Sequence, residues 1–114
     1  MRILVCGGRH FADDNPLYDT LVDIDKQHGI DLLITGGASG ADELTVRHAD
    51  LMCLPLEIFR ADWKKYGKAA GPIRNKKMLD EGKPDLVVAF PGGRGTADMM
   101  RRAKAAKVPV MEVK

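Results

Sequence analysis

At 114 residues and 12.5 kDa the chain is sized for a single domain over 1–114, and a chain of this mass buries roughly two-thirds of its unfolded surface, enough for a core without staples. Hydrophobic residues at 45% and charged residues at 30% exclude disordered and fibrous classes, and a net charge of +2 is too small to mark a nucleic-acid binder. The longest apolar runs, such as Leu86 to Phe90, fall far short of the ~20 residues of a membrane span, and no charged start with an apolar run and cleavage site opens the chain, so a cytoplasmic protein is expected.

In chain order, Arg2–Cys6 reads as a first strand, short and almost continuously apolar. A helix follows, marked by Asn15-Pro16 as cap and first helical residue, with Leu17, Leu21 and Ile24 on one stripe and Gly29 beyond its end. Asp31–Thr35 is the second strand. The second helix is expected to open at Ser39 with Asp42 three residues on, a variant of the capping box, and to carry Leu44, His48 and Leu51 on one face. Pro55–Phe59 is the third strand. Arg60–Ala70 then reads as an irregular excursion, longer than the ~2–6 residues usual for such connections and therefore a functional candidate. A third helix over about Gly71–Glu81, a strand over Asp85–Phe90, a fourth helix from Thr96 to about Lys107 and a strand over Val108–Val113 complete the series. The βαβαβαβαβ order predicts an α/β fold: one Rossmann-like, doubly wound, parallel five-stranded sheet with four helices.

The charge is unevenly distributed. Residues 1–57 carry 4 basic and 10 acidic side chains, and residues 58–114 carry 14 and 6, a split that suits attraction of an anion or association of copies through opposite patches. Cys6 and Cys53 lie in apolar stretches and read as buried reduced thiols. His10, His28 and His48 show no ligand spacing, so no metal and no cofactor is expected; His48 reads as a histidine at the edge of the core.

Glycines gather after three strands: Gly7 and Gly8; Gly36, Gly37 and Gly40; Gly92, Gly93 and Gly95. In a parallel sheet these loops open on one edge, where glycine lets the backbone approach a ligand and the next helix presents unpaired N–H groups, an arrangement suited to phosphate. Neither GxGxxG nor GxxxxGK[ST] is present, which disfavours a standard dinucleotide site and a P-loop. Arg74 shares a helical face with Met78 and should turn inward, where a guanidinium requires an anion or acceptors; the competing reading pairs it with Asp42 or Asp98. Thr96 and the amides around it suit phosphate or a plain N-cap, and Asp98 suits a ribose hydroxyl or the helix dipole. Ser39 and Asp42 fit either a capping box or the ligand edge. Arg9 can reach phosphate, and Trp63, the sole tryptophan, offers a ring for a base or an anchor for the loop that holds it.

Pro91-Gly92-Gly93-Arg94-Gly95-Thr96-Ala97-Asp98 resembles the PGGxGTxxE signature of the LOG phosphoribohydrolases, which cleave nucleoside 5′-monophosphates to base and ribose phosphate. With Gly36-Gly37-Ala38-Ser39-Gly40-Ala41-Asp42 and Gly71-Pro72-Ile73-Arg74-Asn75, the chain is similar to the wider SLOG superfamily. Gly7-Gly8-Arg9 with Phe11 and Asp13, and Ala61-Asp62-Trp63, resemble its small YspA-related branch of bacteria and phages. The resemblance implies a Rossmann-like sheet, a homo-oligomer, and a phosphate- and ribose-holding role for Arg74, with Asn75 beside it. Catalysis would fall to Arg74 and Asp98, but where the LOG pattern has adjacent glutamates this chain has Asp98-Met99, and Met99 exchanges no proton. The expected function is therefore binding of a nucleotide or nucleotide-derived phosphoribosyl ligand, as a sensor or processing domain. Its alternatives are LOG-like N-glycosidic hydrolysis and single-stranded DNA binding, as the resemblance to DNA-processing protein A implies.

Overall fold

The structure, a computed structural model, describes residues 1–114. Five parallel strands, β1 (Arg2–Cys6), β2 (Leu32–Thr35), β3 (Leu56–Ile58), β4 (Leu86–Ala89) and β5 (Val110–Glu112), form one sheet in the order β3-β2-β1-β4-β5. The central strands are apolar on both faces because helices cover each side. Helices α1 (Asp14–His28) and α2 (Ala41–Leu51) bury Leu17, Leu21, Ile24, Ala41 and Leu44 against Ile3, Val5, Leu33 and Val88. On the opposite face, α4 (Ala70–Gly82) and α5 (Arg94–Ala105) bury Met78, Met99 and Ala103 against Leu4, Ile34, Val87 and Ala89. The expected fold class is present, with one addition. The excursion before α4 is not irregular: it holds a helical turn, α3 (Trp63–Tyr66), and a 3-10 turn (Gly67–Ala69) that runs into α4. Asp62 caps α3 by accepting a hydrogen bond from the Lys65 amide at 3.1 Å.

Helix starts are where sequence patterns and structure part. Helix α1 begins at Asp14 after Asp13, so Pro16 occupies its third position, still among the residues whose N–H has no intrahelical acceptor. Helix α2 begins at Ala41 with Gly40, not Ser39, at its cap. The reason is steric: Gly40 takes φ +76° and lies so close to the Gly8 carbonyl that a Cβ would collide with it. Helix α5 starts at Arg94 after Gly93, which moves Thr96 from the cap into the first turn and Asp98 into the second. Helix α4 continues through Gly82 and ends at Lys83, in the left-handed region at φ 48°. Leu51 is 65% exposed rather than buried, because the chain turns off there and Met52 and Leu54 pack against the core in its place. Cys53 is likewise exposed.

His48 is buried as expected, its Nε2 at 2.5 Å from an Asp14 carboxylate oxygen and its ring against Tyr18. No helix is long and apolar enough to cross a membrane.

Candidate functional site

Strand order reverses between β1 and β4: the chain moves outward from β1 through β2 and β3, then returns to the other side with β4 and β5. The loops after β1 and β4 therefore diverge to opposite faces and leave a crevice at the carboxyl edge, the general ligand position in open α/β sheets. Backbone hydrogen bonds fasten the three glycine loops together there. The Gly8 amide donates to the Pro91 carbonyl at 2.9 Å, and the Gly8 carbonyl accepts from the Ala41 amide at 3.2 Å.

The crevice is a cavity of about 720 Å³, within the range of small-molecule sites. Gly7, Gly8 and Arg9 form one wall, and Pro91, Gly92, Gly93, Arg94, Gly95 and Thr96 the other. Asp42, Arg74 and Asn75 line its floor. Ser39 and Trp63 instead line a second cavity of about 410 Å³, which shares Arg9 and Ala38 with the first or lies beside it through them. Gly36, Gly37, Gly40 and Asp98 line neither. Gly36 stands behind Arg74, where a side chain would collide with the guanidinium; Gly37 stands against Ile58 and Arg60. Composition and spacing missed Cys6, His10, Phe11, Ala38 and Met78, which also line the main cavity. Cys6 had one signal, its place as the last residue of β1 at the switch point.

Arg74 turns inward from α4. Its Nη1 donates to the Gly36 carbonyl at 2.8 Å and its Nε to Asn75 Oδ1 at 3.1 Å. No carboxylate lies within ion-pair distance of it, so the alternative pairing with Asp42 or Asp98 is not formed. Burial makes its charged form less comfortable than in water, while the nearby Asp42 and Cys6 oppose that effect. Asn75, 4% exposed, relays this arrangement: its Nδ2 donates to the Gly95 carbonyl at 3.1 Å and to Asp98 Oδ2 at 3.0 Å.

Asp98 sits behind that relay. It accepts from Arg101 Nη2 at 2.6 Å and Arg102 Nε at 2.8 Å in addition to Asn75. Burial pulls its carboxyl upward, but the Asn75 hydrogen bond and the two arginines outweigh this and hold it below its ordinary value. The helix dipole, which acts on the first turn, is not the cause. Met99 beside it is fully buried in the core.

Asp42 is the carboxyl of the crevice floor and is only 7% exposed. Burial raises its pKa; the Ala38 amide, donating at 3.1 Å, and the Arg74 charge only partly offset this. The buried Thr35 hydroxyl beside it also favours the charged form, although it forms no hydrogen bond of good geometry. The Cys6 thiol is pushed up to about 12 by burial and then by the Asp42 charge, against the pull of Arg74, so it stays protonated near neutral pH.

Comparison with known proteins places this architecture. The sequence model of the YspA, cpYpsA-related SLOG family (YAcAr) matches residues 1–66, from β1 through α3. The chain belongs to that family. The Gene 61 protein of Mycobacterium phage D29 is 37% identical to it over 118 residues, covering 96% of this chain and 94% of the phage protein. Its similarity thus extends past the family match into the part of this SLOG chain that supplies Arg74 and the β4–α5 loop.

Proposed function

We propose that this SLOG protein binds a nucleotide or nucleotide-derived phosphoribosyl ligand at the carboxyl edge of its sheet, as a sensor or nucleotide-processing domain. One observation carries the reading. A half-buried arginine with no carboxylate partner lines the same cavity as the start of α5, whose leading amides have no intrahelical acceptor. Ala97 is the first residue to donate back into the helix, to the Gly93 carbonyl at 3.0 Å, so the amides just before it remain for a phosphate. Arg74 would supply the countercharge and Arg9 the rim. Nucleoside monophosphates are expected to raise the melting temperature, and Arg74→Ala to abolish the rise. Absence of any shift with phosphate-bearing nucleotides would overturn the reading.

A second reading, N-glycosidic hydrolysis, gains support from Asp42 rather than Asp98, because Asp42 is the carboxyl that lines the cavity and burial favours its protonated form. Chromatographic release of free base from AMP, GMP or CMP, lost in Asp42→Asn, is the expected signature; intact substrate after long incubation rejects it. Within the same proposal we include self-association, supported by the split of charge between residues 1–57 and 58–114.

A further inference from the structure

The two cavities meet at a cation. Arg9 lines both, is exposed on the β1–α1 loop, and has neither an ion-pair nor a hydrogen-bond partner within the protein. Beyond it, the smaller cavity is lined by only Ala38, Ser39 and Trp63 in addition to Arg9. Trp63 is 54% exposed, yet it is not loosely attached. Asp62 caps the turn that carries it, the Tyr66 amide donates to the Asp62 carbonyl at 3.0 Å, and the indole passes so near Gly71 that a Cβ there would stand 3.3 Å from Cη2. A braced aromatic ring open to solvent is a ready surface for a second ring. A mononucleotide held at Arg74 and the α5 start leaves this lobe empty.

We infer that the site takes a two-headed ligand, two nucleosides joined through phosphate, with one head in the main crevice, the bridging phosphate at Arg9 and the second base on Trp63. The inference rests on the proposal that the main crevice holds a nucleotide. The bridge can be a diphosphate or a phosphodiester, since Arg9 meets the same anionic oxygens in each.

The test uses the full chain. Trp63 is the only tryptophan, so its fluorescence reports this lobe alone. AMP, diadenosine diphosphate and the phosphodiester dinucleotide pApA are titrated by fluorescence and by calorimetry. At least one two-headed compound is expected to quench Trp63 and to bind roughly tenfold or more tightly than AMP, a difference of the size base stacking supplies. Calorimetry of Trp63→Leu should bring that compound to the affinity of AMP and leave AMP itself unchanged. Ser39→Leu, which fills the smaller lobe from an exposed position with a side chain that offers no stacking face, should do the same and guards against misfolding of the first variant. Which compound wins identifies the bridge. Equal affinity for AMP and both dinucleotides overturns the inference while leaving the nucleotide-binding proposal standing. Equal weakening of AMP and dinucleotide in both variants also overturns it, and no binding by any compound removes both.

Discussion

Asp42 and Asp98 are both buried carboxyls, yet their surroundings send them in opposite directions. Asp98 has three side-chain donors and is held below its ordinary pKa of 3.8; Asp42 sits where burial dominates and is held above it. The linkage follows directly. Asp98 stabilises the fold above pH 3.8, and that stabilisation is lost as pH falls through its lower folded-state value. Asp98→Asn is expected to cost about 1–3 kcal/mol at neutral pH, the range for stranding charged hydrogen-bond partners, with Arg101, largely exposed, contributing least. Thermal melts of wild type and variant should converge in strong acid; a constant gap would refute this account. Asp42 behaves inversely: its ionised form destabilises the fold, so Asp42→Asn should raise the melting temperature at pH 7, with the gain fading as pH falls toward 3.8. Such a carboxyl, kept at a cavity floor against its own stability, is characteristic of sites under functional rather than structural demand.

At the scale of elements, the strands were legible because burial on both faces writes an uninterrupted apolar run, and β1 falls where its sequence places it. Helix starts were less so. Ser39 and Thr96 have the chemistry of caps, but Gly40 and Gly93 take those positions; at Gly40 the reason is that loops packed against one another select the residue that fits rather than the residue that caps best, whereas nothing crowds Gly93. Gly40 shows the cost of that packing. Gly40→Ala would strain a φ of +76° and push Cβ into the Gly8 carbonyl, so a loss of well over 1 kcal/mol is expected, read as a drop of several degrees in melting temperature. The nucleotide-induced shift should shrink as well, because Gly8 and Ala41 are joined at this point. The expected irregular excursion proved to be ordered for a related reason: its only acid, Asp62, caps a turn that no apolar periodicity announces.

Across the whole molecule, the uneven charge of the sequence becomes a difference between faces. Helices α1 and α2 carry seven acidic and two basic residues, whereas residues 63–82 and α5 carry ten basic and three acidic. The sheet separates them, so one face attracts what the other repels. Two copies stacked with unlike faces together would be favoured at low ionic strength, and because the pairing surfaces differ, the association is head-to-tail, forming a ring where the rotation closes and a filament where it does not. Sedimentation in 20 mM salt (roughly a 20 Å Debye length) should show larger species than in 500 mM salt; an unchanged monomer at both would exclude assembly by this route. Short apolar runs, their alternation with helical stripes and the glycines after β1, β2 and β4 determined the fold and the sheet edge that carries the crevice, because those features depend on local spacing. Only the tertiary structure decided which carboxyl enters the crevice. Arg101 and Arg102 stand three and four residues after Asp98, a spacing that local helix geometry already pairs, but nothing in either segment states that Asn75, on another helix, closes the set around Asp98 while Asp42 is left in the cavity with Arg74.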